Sequence, residues 1–419
     1  MNKVVDKFWS FKNWYFFVIL IFSGLAFSFV KSMIAEFLLF GLSLLYVIKY
    51  NINIFNKNLF CAMLLLLCYS LCTAFRNSVF LPLYTFEHIN IFVISYVLVH
   101  LYGKRFFYLY EKSIFYLACI SLVGWTLLVL FPSFVFSFAE RFSMSEHMET
   151  YYGGGSFLLF NFGAGEHWGI YRNFGFCFEP GPFGVYVALA IFLNLFRNNG
   201  NFKNKEFFIL FFAMLTTLST TAYLSFAVGF LLYIYQKNKG FNKYFYVFLF
   251  FSVFILIFFN VNFLGDKLEQ QGGDLDFKVE RSISYAKYNK KPESVARFAA
   301  MEVARKTFQE YPLLGTGGAR LLQYGGGLVY VVNGWAQIII EGGLFGVFIF
   351  LISMFKTSKI FSSVYNNNLS LVFFVFLLFA NFGFVLFDQY LLYSVIMMGW
   401  FYPKQQYMQN SFLRVSYEK

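Results

Sequence analysis

The sequence predicts an all-α fold, a polytopic bundle of about twelve membrane-spanning helices with two longer loops on one face. Three observations carry that prediction. Of 419 residues, 59% are hydrophobic, 24% aromatic and only 13% charged, and the mean hydropathy is +0.60, far outside the range of soluble domains. Apolar runs long enough to cross a hydrocarbon core recur along the chain, about 20 residues being needed for each. Lys and Arg gather in alternate connections, as they do on the cytoplasmic side of a membrane. The net charge of +12 therefore describes topology and gives no reason to expect a nucleic-acid partner.

The first run, 14–30, follows Lys3, Lys7 and Lys12 and lacks a small-residue cleavage site, so it reads as an uncleaved span. Runs at 33–49, 59–75, 85–102 and 114–131 complete a group of five helices within residues 1–131. A second group, within 180–263, holds runs at 180–196, 206–219, 221–236 and 244–263, with TLSTT at 217–221 as the turn between the closely spaced middle pair. The last three runs, 334–355, 369–386 and 388–402, fall within 334–402 and precede a tail at 403–419. Placing both termini in the cytoplasm puts nineteen Lys and Arg in the inner segments and leaves only Lys31 and Arg76 in the short outer connections. Segments 132–179 and 264–333 then lie outside, where long loops escape the charge rule. The second is rich in helix formers and is expected to be partly helical. Cys61, Cys68, Cys72 and Cys119 sit in apolar runs and Cys177 does not. They are expected to pack as small apolar residues rather than to form disulfides or hold a metal.

Polar chemistry and membrane architecture meet between Arg297 and Gly346. Pro292 to Gln309 has helix-forming composition, with Pro292 suited to a first turn and Pro312 barring continuation. In PLLGTGGAR, the glycines 315, 317 and 318 free the backbone either to cradle an anion with N–H groups or simply to turn. Asn333 leads into an apolar helix carrying Glu341 about two turns inside the bilayer, with Gly342 and Gly346 spaced for close helix approach. An ionisable group there is costly and marks a functional candidate, or else an interhelical hydrogen bond. Upstream, RNFGFCFEPGPFG puts Arg172 and Glu179 at the outer mouth of a span.

These stretches resemble the O-antigen polymerase and ligase superfamily. Its diagnostic region runs Arg-Phe, a helix, Pro-hhG-x-G, a spacer, Asn, then Glu-x-Gly-hhG, and the matching residues are Arg297, Phe298, Pro312, Gly315, Gly317, Asn333, Glu341, Gly343 and Gly346. RNFGFCFEPGPFG looks like the polymerase-type Arg-x-x-Gly-x-Phe-x-Glu-Pro element, and the likeness covers roughly residues 100–400. It implies a GT-C-like bundle in the cell inner membrane that performs inverting, metal-independent glycosyl transfer without a cofactor. The implied substrate is an undecaprenyl pyrophosphate-linked oligosaccharide at the outer leaflet, amid membrane lipids, with a chain-length regulator as a further partner.

The resemblance also suggests roles. Arg172 and Arg297 would grip the diphosphate, unless they form structural ion pairs with loop carboxylates. Glu179 would serve as base or acceptor ligand, or cap a helix. Arg281, Arg305 and Arg320 would add substrate contacts, although Glu302 is a ready partner for Arg305. Gly315, Gly317, Asn333 and Glu341 complete the implied substrate site. Val332 stands where the ligase branch carries a histidine, which favours a polymerase over a ligase, and a lipid-linked oligosaccharide flippase is the alternative from another class. Ser219-Thr220-Thr221 replaces a Ser-Arg that the superfamily often has between its middle spans. Asp274-Leu275-Asp276 has an Asp-x-Asp form, and His147 and His167 lie near Glu146, Glu149 and Glu166, but neither set has the spacing of a metal site.

Overall fold

The computed structural model describes residues 8, 10–26, 32–78, 81–167, 169–237, 274–289, 293–317, 329–365 and 368–402. Helices α1 (Phe11–Ser23), α2 (Met33–Lys49), α3 (Lys57–Asn77), α4 (Pro82–Tyr102) and α5 (Arg105–Leu130) come first. The first long loop folds as α6 (Pro132–Phe142), α7 (Glu146–Tyr152) and two short antiparallel ladders, β1–β2 (Gly155–Ser156 with Asn161–Phe162) and β3–β4 (Glu166–His167 with Ile170–Tyr171). Then follow α8 (Pro180–Arg197), α9 (Lys205–Thr216) and α10 (Thr220–Lys237). The second long loop contributes α11 (Leu275–Asn289), β5 (Glu293–Val295), α12 (Arg297–Glu310) and β6 (Val329–Val331). Helices α13 (Gly334–Val364), α14 (Ser370–Gly383) and α15 (Tyr390–Phe401) close the chain.

Eleven of the twelve apolar runs overlap one of these helices; the run at 244–263 lies outside the described residues. Among the described residues five helices, α3, α4, α5, α8 and α13, are long and apolar enough to cross a membrane. The chain is a multi-pass membrane protein. On α3 large apolar side chains such as Phe60, Leu64, Leu71 and Phe75 are exposed, which in hydrocarbon costs nothing. Cys61, Cys68 and Cys72 share that exposure, so they are not packed inside as their apolar surroundings suggested.

Helix α8 is the axis. Every residue from Pro180 to Phe196 is buried, as expected of a helix apolar all round, and α5, α9 and α10 pack against it. Gly184 permits the α10 contact, since a Cβ there would lie 2.5 Å from that of Ala222. At the Arg197 end, that guanidinium forks onto the buried Glu111 at 2.7 and 2.9 Å and reaches Glu206 at 2.7 Å. Lys112 pairs with Glu206 as well. This end of the bundle is therefore charge-balanced. Glu36 of α2 joins two other helices by accepting from Asn90 of α4 and Tyr390 of α15, whereas His88 and His100 each bond a carbonyl one turn back in their own helix, those of Tyr84 and Tyr96.

The second long loop differs from the prediction at its start. Residues 293–295 are not the first turn of a helix but a strand that pairs in parallel with 329–331, and the helix begins at Arg297. Parallel pairing aligns the two chain segments that lead into Arg297 and Asn333. Asn333 caps α13 by accepting from the N–H groups of Trp335 and Ala336 at 2.9 and 3.2 Å, while its Nδ2 donates to the Arg297 carbonyl at 3.3 Å.

Helix α13 is broken at Gly343, whose φ of 56° and ψ of −148° are open to glycine alone. The break frees backbone groups inside the membrane, where each must find a partner. The 312–317 turn supplies them. Leu344 and Phe345 donate N–H to the carbonyls of Pro312 and Leu313 at 2.9 and 3.0 Å, Thr316 donates to the Ile340 carbonyl at 2.7 Å, and Tyr69 of α3 donates to that of Glu341. A Cβ on Gly315 would sit 2.4 Å from the Glu341 backbone. The close approach is thus at Gly343 and Gly315, and not at Gly342, around whose Cβ position nothing lies within 4 Å. Replacing Gly343 by Ala is expected to cost about 2 kcal/mol or more, from the forbidden φ and the collision with the turn. Gly342→Ala is expected to be neutral or stabilising by up to about 1 kcal/mol. Thermal unfolding of the two variants in detergent checks the contrast.

Candidate active site

Three helix ends and the linker before α8 converge on one cavity of about 420 Å³. Its walls include Arg172, Glu179, Arg297, Ser219 and Tyr152. Arg172 immediately follows β4, Glu179 immediately precedes α8, Ser219 lies in the turn between α9 and α10, and Arg297 opens α12. The TLSTT stretch is that turn, as its composition predicted.

Arg172 is held by the turn's backbone. Its Nε donates to the Thr217 carbonyl at 3.1 Å and its Nη2 to that of Leu218 at 3.3 Å. Leu218 adopts φ +48°, a left-handed conformation uncommon outside glycine, and this strain tips both carbonyls toward the guanidinium. Asn173 fastens the linker from behind: its N–H and Nδ2 bond Thr216 at 2.9 Å each, and Nδ2 also reaches Ser121 Oγ at 3.1 Å. Arg297 donates from Nε to the Gly383 carbonyl at the end of α14, 2.9 Å away. A Cβ on Gly181 would lie 3.6 Å from Arg297 Nη2 and 3.8 Å from Ser219 Oγ, so the first turn of α8 faces both as bare backbone.

Neither guanidinium forms an ion pair within 4.0 Å among the described residues. Each keeps N–H donors that no acceptor takes among the described residues. Burial lowers the Arg172 pKa to about 10; Glu179 works against that shift and Arg297 adds to it by repulsion. Burial lowers Arg297 likewise, with Glu179 again opposing. Both remain charged at neutral pH, so two half-buried cations share one nearby carboxylate, and the positive charge left over favours an anionic ligand. Glu179 does not cap α8 with its side chain; its Oε1 accepts the Tyr152 hydroxyl at 2.6 Å.

Residues 207–351 match the family model described as O-antigen ligase. The chain carries a domain of the O-antigen polymerase and ligase superfamily. No curated protein and no solved structure matches it. Arg297 lies within the matched segment, whereas Arg172 and Glu179 lie before it, so the cavity joins the superfamily domain to the preceding loop. In that earlier element Cys177, fully buried, takes the place of the expected Phe.

The structure separates the other expected site residues from this cavity. Arg305 is exposed and bonded to Glu302 at 2.5 and 2.8 Å. Arg281 stacks over the Tyr285 ring, 5.6 Å from its centre. Asp276 pairs with Lys306 at 2.6 Å and Asp274 accepts the Phe277 N–H at 3.1 Å, which occupies both carboxylates of the Asp-x-Asp stretch. Gly315 and Gly317 belong to the turn that fills the break in α13, and Asn333 acts on Arg297 through its backbone. Glu341 accepts from Tyr84 and Gln337 at 2.9 Å each and lines an apolar groove of about 280 Å³ between α3, α4, α13 and α15. Arg320 lies outside the described residues. No three His, Cys, Asp or Glu side chains converge as a metal would require among the described residues.

Sequence reasoning did not single out Tyr152, Asn173 or Gly181. Proximity to Arg172 and Glu179 was the only signal for the last two, and Tyr152 had none. The Arg172 shift has a thermodynamic sign. Its folded pKa lies below the unfolded value, so the folded state sheds this proton first, and the cost of burying the charge is present in full below about pH 10. A diphosphate that pairs with the cation offsets that cost. A short prenyl diphosphate is therefore expected to raise the melting temperature at pH 7.5, and the increment is expected to shrink as pH climbs through about 10. Calorimetry across that pH range in detergent measures it.

Proposed function

We propose that this protein is a surface-polysaccharide polymerase that passes a growing glycan from undecaprenyl pyrophosphate to a new lipid-linked repeat unit at the outer face of the inner membrane. The observation that carries the reading is the pair of half-buried arginines with no ion pair among the described residues, beside a carboxylate that caps nothing, in one cavity of about 420 Å³. In the reaction, an acceptor hydroxyl attacks the anomeric carbon, the bond to the diphosphate oxygen breaks, and the electron pair leaves with undecaprenyl diphosphate. Charge grows on the leaving oxygen as this happens. Arg172 and Arg297 supply fixed N–H donors and positive charge where it grows, in a site partly closed to water. Glu179 takes the acceptor proton. Inversion at the anomeric carbon follows from a single displacement.

Val332 before Asn333, in place of the ligase histidine, supports a polymerase over a ligase. The ligase reading has the description of the matched family model in its favour. Deletion strains separate the two, since polymerase loss leaves a single capped repeat and ligase loss leaves polymer on the lipid carrier.

Arg172→Ala and Arg297→Ala are each expected to lower polymer formation about a hundredfold or more, reducing surface glycan to single repeats while the protein stays in the membrane. Lysine at either position keeps the charge but not the fork and is expected to restore only part of the activity. Glycan ladders from complemented deletion strains read both outcomes. Reporter fusions at the 152–172 and 274–297 segments are expected to report an extracytoplasmic location for both, and a cytoplasmic signal from either removes the outer-leaflet assignment.

A further inference from the structure

The cavity has two unlike sides. Arg172, Arg297, Ser219, Pro180 and Gly181 come from helix ends and their linkers, whereas Tyr152, Gly163, Gly165 and Glu166 come from the folded first loop of α7 and the two ladders. The cavity's arginines belong to the first side. Glu179 sits at the seam, where Tyr152 donates to its Oε1 and its Oε2 has no hydrogen bond among the described residues.

Tyr152 is fixed from two directions. Its carbonyl accepts the Ala164 N–H at 2.9 Å, which ties the end of α7 to the link between the ladders, and its ring meets Phe174 edge-on at 5.7 Å. At Gly153 the chain turns away in a left-handed conformation, φ +59°. The hydroxyl then reaches across the cavity to Glu179. Around the Cβ position of Gly165 nothing beyond its chain neighbours lies within 4 Å, so the loop side keeps open space, and Glu166, one of whose carboxylate positions takes the Tyr171 hydroxyl, also lines it.

We propose that this loop side is the subsite for the acceptor's terminal sugar and that Tyr152 is the positioning residue that turns Glu179 toward the attacking hydroxyl. The inference rests on the reading of the cavity as a glycosyl-transfer site. A diphosphate is drawn to the guanidinium side. An uncharged ring rich in hydroxyls is left to the side that offers a carboxylate acceptor, an aromatic face and exposed glycine backbone. As the new bond to the anomeric carbon forms, the acceptor proton passes to Glu179 Oε2, and the bond to the diphosphate oxygen breaks with its electron pair.

The test uses the full-length protein in detergent, a fixed lipid-linked donor, and an acceptor repeat unit supplied separately on a short prenyl chain. Tyr152→Phe is expected to lower kcat about tenfold, the loss of one hydrogen bond to a charged group, with the acceptor KM little changed. The same change in a Glu179→Gln background is expected to cost no more, because the two act as a unit. Gly165→Leu fills the open space and is expected to raise the acceptor KM several-fold while leaving short prenyl diphosphate affinity as it was. A Tyr152→Phe loss that simply adds to that of Glu179→Gln overturns the proposal, as does a Gly165→Leu variant with unchanged acceptor KM or with weakened prenyl diphosphate binding. Prenyl diphosphate that binds wild type and Arg297→Gln equally sinks instead the underlying transfer-site reading.

Discussion

Two half-buried guanidiniums around one carboxylate set the terms for everything near them. A cation drawn out of water without an ion-pair contact is a cost, and the depressed pKa of Arg172 expresses it. The bundle could have neutralised both groups, as it does at its other end, where Arg197 is matched with Glu111 and Glu206. At the Arg172 end it uses backbone carbonyls instead. Thr217, Leu218 and Gly383 orient the forks through dipoles without cancelling the charge, which leaves the field directed into the cavity.

That arrangement needs a rigid frame. Arg297 stands at the first residue of α12, and both ends of that helix are anchored to α13. At its start the parallel β5–β6 pair and the Asn333 side chain fix the Arg297 backbone. Beyond its end the 312–317 turn is threaded into the break at Gly343. Arg76 and Asn77 of α3 bond the carbonyls of Gly315 and Thr316 from the far side, and Arg76 lies over the Tyr311 ring. These contacts satisfy the backbone groups freed at Gly343, so the membrane helices support a guanidinium that would not hold its geometry on a loop alone.

Much of the frame was legible in the sequence, because hydrophobic runs depend on local composition. The helices and the TLSTT turn could both be read from it. Arg172, Glu179 and Arg297, picked out in the sequence as ionisable residues beside apolar runs, line one cavity in the fold. What could not be read was the partnership between distant segments. The glycines at 315 and 317 carry the same local signal whether they cradle an anion or fit against another backbone, and only the broken turn of α13 decides between those uses. Pro292 looked like a helix start because strand pairing with 329–331 is a tertiary fact.

The same distinction explains why the motif residues fall into two classes that no spacing rule separates. Gly343, Gly315, Asn333 and Glu341 hold a turn, a helix start and a helix crossing, and each has its hydrogen-bonding capacity or its missing Cβ committed to another part of the chain. Arg297 has donors left over. A residue retained for structure tends to show satisfied polar groups, whereas one retained for chemistry shows capacity aimed at empty space. By that criterion the diagnostic stretch is mostly scaffold for a single guanidinium, and the chemistry proposed for the cavity draws its other two groups, Arg172 and Glu179, from upstream of the matched segment.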